Sequence, residues 1–499
     1  MANYDLVITG GRVIDPETNL DATRNVGIKD GKIAAVTESA IEGKETIDAS
    51  GHVVCPGFID MHQHNTGIPF GEKMALLDGV TTPLDLEVGA VGAGDWYAGH
   101  EGKCRANYGT SSGVMGIREH ILNPGYKTAF YGDFSYDSMG APDQAHTTMK
   151  WSTDLLSPEQ LKEFARLVEE GIEQGAIGIG FPVGYMVDGC TQAEALISQQ
   201  LAGKYGHSVF LHGRFSSQMP PTSGILGFLE MMGPQEVYGG GICIHHLHAQ
   251  ALKDTVQSLE LVDRAREKGA QVIAEVYPYN YGATMVAADY LQPDNYGPNM
   301  GRSYEDIIET ATNQKLTKDR YDELLKANPL TSVMFYHAQE SDLVKSLEHP
   351  NVVVGSDAFP YIDGESGKVA IDWDVPVERV KGHPRGGSTH TRVLQWVREK
   401  KINVSLPLAI SKMTNMIATY LEANGVPQMA DKGRLQEGKD ADITIFNPDT
   451  VKENATMQQG GLSPTGIPHV LVNGTVVVRD SKPIDGVFPG KPVYGSGKK

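Results

Sequence analysis

Cysteine is scarce: Cys55, Cys104, Cys190 and Cys243 are the only four in 499 residues, and no two form a C-x-x-C pair. That excludes a disulfide framework or a cysteine-built zinc site and reads as four reduced thiols. Long apolar runs are missing too. No stretch approaches the roughly 18 apolar residues of a membrane span. The opening MANYDLVITGGRVIDP has no charged segment followed by an apolar one, so no secretory leader is expected and the expected location is cytoplasmic. Basic residues are outnumbered, 43 against 62, for a formal charge of −19. An acidic balance argues against nucleic acid and anionic membrane as partners, though one local Arg can still hold an anionic substrate. Nucleotide and serine-hydrolase motifs are absent. Gly239-Gly240-Gly241 leads into a strand instead of out of one, and neither a Walker A sequence nor a G-x-S-x-G elbow occurs.

What is present is an ordinary globular composition, 40% hydrophobic and 21% charged, with 57 Gly. Both ends read as short strands. Near the start, Asn25–Lys29 and Lys32–Thr37 flank Asp30-Gly31, a hairpin signal, and near the end Ile467–Val472 and Thr475–Arg479 flank Asn473-Gly474. The middle alternates strands with helices. Strands are expected at Gly57–Asp60, Thr81–Glu87, Ser112–Gly116, Ala176–Gly180, Ser208–His212, Gly241–His246, Gln271–Val276 and Asn351–Asp357. Apolar spacing of three and four predicts helices over Pro158–Gln174, Ala193–Tyr205 and Thr255–Lys268. The expected fold class is therefore α/β: a (β/α)₈ TIM-type barrel with a small β-sandwich domain built from both termini. The expected division is 1–55 for the first part of the small domain, 56–430 for the barrel and 431–499 for the second part. A stretch of about 285–350 leaves the rhythm, carries helical pieces at Tyr304–Ala311 and Asp319–Ala327, and reads as an insertion over the barrel mouth. The final GSGKK reads as a frayed tail.

The chemistry gathers at strand ends. His62 and His64 close the strand GFIDMHQH, and period-2 geometry points both imidazoles one way, where they can grip one divalent metal. His212, His246 and Asp357 end three further apolar strands. Barrel geometry brings such ends to one mouth, on rigid supports. Two metals close together need a bridging anion; Glu87 ends the second strand in position to bridge, with Asp85 on the same face as the alternative. Asp357 can ligate metal, or take a proton from a metal-bound water. Arg385, in His383-Pro384-Arg385, offers a planar fork for a carboxylate, and one of Tyr277, Tyr279 and Tyr281 can donate to the substrate carbonyl or carboxylate.

The ordered set YDLVITGGRVIDP, PGFIDMHQH, GVTT, GAIGIGFPVGY, VYPY, GSD, HPR, KMT and KGRLQEGKDADITIFNPDTV resembles the amidohydrolase superfamily, and within it the N-acyl-D-amino-acid deacylases, over nearly the whole chain. The resemblance implies a metal-dependent hydrolase of an amide C–N bond, most simply in an N-acyl amino acid or a bulkier related amide. It implies zinc, two ions per chain, with His62 and His64 on one and His212 and His246 on the other. Asp357 becomes the acid/base, and Tyr185, Tyr277 and Arg385 contact the substrate. Two departures stand out. The bridging Cys of that group is absent and Glu87 takes its place, a hard ligand that also suits Mn²⁺ or Co²⁺. A usual Lys in the substrate pocket is His248. Cyclic amides, lactones and carbamates are alternative substrates, and the fourth strand lacks the Lys that a hydantoinase-like site needs. Barrels of this kind often associate as homo-oligomers; a non-catalytic binding barrel fits the intact ligand set poorly.

Overall fold

The computed structural model describes residues 3–124 and 149–499. Eight strands form one all-parallel sheet in the order Val352–Val354, Gln271–Val276, Gly241–Ile244, Ser208–His212, Gly178–Pro182, Gly109–Gly113, Val80–Ala90, Phe58–Asp60. The two outer strands close the ring. Ser356 N donates to Asp60 Oδ1 at 3.0 Å, Ser356 Oγ to the His62 carbonyl at 3.2 Å, and His64 N to the Ala358 carbonyl at 3.0 Å. Inward residues such as Ile59, Leu84, Ile177, Phe210, Cys243, Ile273 and Val353 fill the interior, each almost fully buried. This is the barrel expected from the strand–helix alternation.

The helices have local causes. Pro158–Glu173 opens on Ser157, whose Oγ accepts from Gln160 N at 3.3 Å while Gln160 Oε1 accepts from Ser157 N at 2.9 Å, with Pro158 pre-set for the first turn. Gln192–Tyr205 ends where Gly206 takes φ +67°, a conformation that only glycine enters cheaply.

The fourth strand is Gly178–Pro182 in place of Ala176–Gly180, the sixth stops at Ile244 and the eighth at Val354, and two further strands differ more deeply. The third strand is Gly109–Gly113, with Val114–Leu122 already helical, so the reading Ser112–Gly116 is shifted by about one turn of chain. Its residues, Gly-Thr-Ser-Ser-Gly, carry no apolar signal because neighbours leave no room. A Cβ on Gly109 would meet Ile177 Cδ1 at 2.6 Å, and one on Gly113 would meet the Val88 carbonyl at 2.4 Å. The second strand runs on to Ala90, but its register jumps from Asp85 opposite Thr110 to Ala90 opposite Ser112. The extra residues bulge out of the ladder and re-aim side chains, as bulges at barrel rims do.

Strands from both ends of the chain make a second sheet of nine strands. Val53–Pro56 lies between Tyr4–Asp15 and Ile443–Phe446, so the two ends interlock at its centre. The sheet curls until Ile33 N donates to the Lys439 carbonyl at 2.9 Å, enclosing Leu6, Ile8, Val26, Ile28, Ile443 and Leu471. Both hairpin turns form as expected, with Asp30, Gly31, Asn473 and Gly474 all at positive φ.

The insertion holds a four-stranded antiparallel sheet, Tyr281–Met285, Ser332–Tyr336, Ile307–Glu309, Gln314–Lys315. The helix expected over Tyr304–Ala311 is instead one short turn, Tyr304–Asp306, followed by the strand Ile307–Glu309. β-branched Ile307 and Ile308 pair with Phe335 and Met334, and this pairing overrides the weak helical spacing. The frayed tail is also corrected: Gly495 N, Ser496 N and Lys499 N donate to the carbonyls of Gly175, Gly425 and Glu173. Among the described residues no helix is long and apolar enough to cross a membrane.

Candidate metal centre

Every strand-end residue singled out in the sequence reaches one point at the C-terminal mouth. Glu87 sits in its middle, 1% exposed, on the bulge of the second strand. Its Oε2 lies 3.4 Å from His62 Nε2 and 3.3 Å from His64 Nε2. Its Oε1 lies 3.1 Å from His212 Nδ1 and 3.0 Å from His246 Nε2. Asp357 Oδ1 joins the first pair, 3.3 Å from His62 Nε2 and 3.4 Å from His64 Nε2. Each oxygen of one carboxylate thus faces a different pair of imidazoles. That is the donor set of a two-ion centre with a bridging carboxylate.

Three observations test whether these residues fit metal. His62 Nε2, which faces Glu87 and Asp357, is buried with no hydrogen-bond partner, which is costly for a polar atom unless something else binds it. The groups His62–His64–Glu87, Glu87–His212–His246 and His62–His246–Asp357 each bring their ligand atoms within 4.8 Å of one another. Two ligand residues, His246 at φ +34° and Asp357 at φ +52°, hold left-handed backbone, which costs on the order of 1–3 kcal/mol each and concentrates at functional sites. The residues fit.

A second layer aims the ligands. His62 Nδ1 donates to Glu275 Oε2 at 2.8 Å, which leaves Nε2 for the centre. The same oxygen accepts from His245 Nδ1 at 2.9 Å and from the His246 backbone N–H at 3.0 Å. Asp85, weighed in the sequence as a bridge, instead accepts from His64 Nδ1 at 3.1 Å. Glu275 was not recognised in the sequence. Its one signal is an acid inside the apolar strand QVIAEV, at a position that points into the barrel.

Charge follows the geometry. Burial works against a charged His62, but Asp357, Glu87 and Glu275 outweigh it and raise the ring to about 10. Burial and the nearby His246 push His212 down to about 4. Burial would raise the Asp357 carboxyl, yet Arg385, His62 and His64 bring it down to about 2. A narrow pocket beside the carboxylates is walled by Tyr185, Tyr277, Tyr290, Phe335, Met300 and Arg385, among others. Arg385 Nη1 is 3.0 Å from Asp357 Oδ2, its Nη2 donates to the Ala283 carbonyl at 3.0 Å, and its plane lies over the Tyr277 ring at 4.6 Å. Of the tyrosines left open above, Tyr277 is on the wall. Tyr279 turns away to donate to Glu453 Oε1 at 2.6 Å. His248 stands behind Tyr277 with ring centres 4.7 Å apart, and its Nε2 donates to the Tyr279 carbonyl at 3.1 Å. Tyr185 reaches the pocket through the hydroxyl cluster with Thr284 and Tyr290. Tyr290, from the insertion, gave no sequence signal; its ring stacks 5.5 Å over His212.

A parallel barrel whose mouth gathers four histidines around carboxylates is the frame of a metal-dependent hydrolase, and similarity to amidohydrolases and deacylases gives its class, a hydrolase of carbon–nitrogen bonds other than peptide bonds. Residues 235–478 match the model of the amidohydrolase family. Within that class the chain is D-aminoacylase-like. It is 26% identical to an N-acyl-D-glutamate deacylase of Alcaligenes xylosoxydans xylosoxydans over 96% of this chain and 94% of the relative. A D-aminoacylase of the same organism is 25% identical over 95% of this chain and 94% of its own. The solved N-acyl-D-glutamate deacylase of Bordetella bronchiseptica, complexed with zinc and a phosphonate mimic of the tetrahedral intermediate, superposes with TM-score 0.76. That match covers 99% of this chain and 100% of the other at 22% identity.

Proposed function

We propose that the protein removes the acyl group from N-acyl-D-amino acids, using two divalent ions, zinc by preference, held by His62, His64, Glu87, His212, His246 and Asp357. The observation that carries this reading is Glu87 set between two histidine pairs, with Asp357 beside one of them. The zinc of the Bordetella structure and the deacylase relatives support it. Ions bound there would acidify a water and polarise the amide carbonyl. Asp357 accepts the proton as the water oxygen bonds to the carbonyl carbon, then returns it to the leaving nitrogen as the C–N bond breaks. Tyr277 donates to the oxygen that gains the electron pair. Arg385 holds the carboxylate of the amino acid, and the aromatic wall takes an apolar acyl chain. The four unpaired, buried thiols suit a reducing cytoplasm.

The test is metal content by plasma mass spectrometry together with a hydrolysis panel of N-acyl-D- and N-acyl-L-amino acids, hydantoins and lactones. About two ions per chain with turnover confined to the N-acyl-D-amino acids is expected. Turnover confined to hydantoins, or a protein that takes up no metal, overturns the reading.

A further inference from the structure

Tyr277 has to present its proton, and not its lone pair, if it is to steady an oxyanion. A phenol hydroxyl can do either, so something must set its sense. Among the described residues the one hydrogen-bond partner of Tyr277 Oη is His337 Nε2, at 2.9 Å. His337 follows the inserted strand Ser332–Tyr336 and is 2% exposed. Its other ring nitrogen, Nδ1, accepts from the backbone N–H of Ala338 at 2.6 Å. A backbone N–H cannot accept, so Nδ1 carries no proton, and a neutral ring then carries its proton on Nε2. Burial, with His248 and Arg385 close by, holds His337 well below its usual range and keeps it neutral. The backbone that carries the ring is held on both sides: His337 N donates to the Asn280 carbonyl at 3.1 Å and Arg302 Nη2 donates to the His337 carbonyl at 2.8 Å.

A second polar group near Tyr277 Oη, the Arg385 guanidinium, is also a donor. A Cβ placed on Gly282 would lie 3.1 Å from both Tyr277 Oη and Arg385 Nη1, so these atoms converge on one spot. With His337 Nε2–H filling one lone pair and a guanidinium, itself a donor, on the Gly282 side, the Tyr277 proton is directed to the pocket that His246 and Asp357 share.

We propose that His337 is a positioning residue for hydrolysis: its Nε2–H makes Tyr277 Oη an acceptor on the insertion side, so the tyrosine's own O–H is the donor that meets the developing oxyanion. Tyr277 keeps its proton throughout, and only the hydrogen bond strengthens as the carbonyl electron pair moves onto oxygen. The insertion thereby supplies part of the chemistry as well as a pocket wall. This inference rests on the amide-hydrolysis reading above.

Two measurements test it. The first needs no substrate: ¹⁵N-histidine labelling of the metal-loaded protein, with the His337 signals assigned by their loss in His337→Gln. A ring protonated on Nε2 alone from pH 6 to 8 is expected. An Nδ1–H tautomer or an imidazolium in that range overturns the proposal, whatever the enzyme hydrolyses. The second uses N-acetyl-D-glutamate and, as an ester probe, p-nitrophenyl acetate. His337→Leu should lower kcat on the order of 10²-fold with KM little changed, while His337→Gln, which keeps an N–H donor, recovers most of it. In a Tyr277→Phe background His337→Leu should have no further effect. An equal loss in both backgrounds means that His337 acts through something else and overturns the proposal. If neither probe is turned over by the parent protein, the functional reading fails while the labelling result still decides the tautomer.

Discussion

Replacing Glu275 by Gln should weaken metal binding most at the half of the centre built on His62. Glu275 is fully buried, and its Oε2 accepts three hydrogen bonds, from His62 Nδ1 at 2.8 Å, His245 Nδ1 at 2.9 Å and His246 N at 3.0 Å. Hydrogen bonds to a charged acceptor contribute about 1.5–3 kcal/mol each, and those to a neutral amide about 0.5–1.5. Even if the Gln oxygen keeps its place, the bond that orients His62 weakens by roughly 1 kcal/mol, and the loss of the buried charge weakens the other two. That roughly 1 kcal/mol falls on the basicity and aim of His62, which is about fivefold in metal affinity. His212 has no bond to Glu275 and His246 meets it only through its backbone N–H, so the half they form should be weakened less. Chelator-competition titration of the apo-protein with Zn²⁺ separates the two steps. Expected is one step weakened about fivefold and the other less, with the fold intact by circular dichroism. Two unaltered steps in a folded Glu275→Gln protein would refute the argument that the second layer sets His62.

Two other substitutions follow from the packing. Gly282→Ala puts a methyl 3.1 Å from Arg385 Nη1, Tyr277 Oη and Phe335 Cε1, so all three must shift by a few tenths of an ångström. A fall in kcat/KM of roughly tenfold is expected, with metal content unchanged, and full activity would show that this cluster tolerates misplacement. Glu72 is buried with its Oε1 accepting from Arg105 N at 2.6 Å and Ala106 N at 2.8 Å, and burial raises its carboxyl from 4.5 to about 7. An acid raised on folding weakens the fold as pH climbs: the penalty is absent below the unfolded value of 4.5 and complete above about 7. Glu72→Gln keeps an oxygen for both N–H groups and removes the titration, so its denaturant stability relative to the parent should rise by up to about 3 kcal/mol between pH 5 and 8. A difference independent of pH would show that Glu72 is not the titrating group.

The barrel and the cluster of candidate ligands were readable for one reason. Each ligand ends a strand of apolar residues, and in a parallel barrel all such ends meet. His62, His64, His212, His246 and Asp357 therefore announce a shared mouth without any knowledge of their partners. Glu87 was readable as an acid at the right end, although the bulge that carries it there was not, since three extra residues leave no periodic trace. The third strand hid because Gly109 and Gly113 are selected by neighbours that only the fold brings near. Residues that act on other residues were the least visible. Asp85 looked like a ligand and serves His64; Glu275 looked like strand interior; His337 and Tyr290 lie in an insertion whose short strands pair over irregular loops. Their roles come from contacts between segments far apart in the chain, which no local pattern encodes.

The small sheet has a consequence for synthesis. Val53–Pro56 takes one of its two neighbours from Ile443–Phe446, a partner made about 390 residues later. At roughly 5–20 residues per second, that edge waits unpaired for on the order of 20–80 s while the barrel is being made. Val53, Val54 and Cys55 are all fully buried in the finished molecule, so what emerges early is an apolar strand with open backbone groups. A growing chain of this kind is a natural client for a chaperone that shields strand edges, and its yield should depend on how quickly the ribosome delivers the strand that closes it.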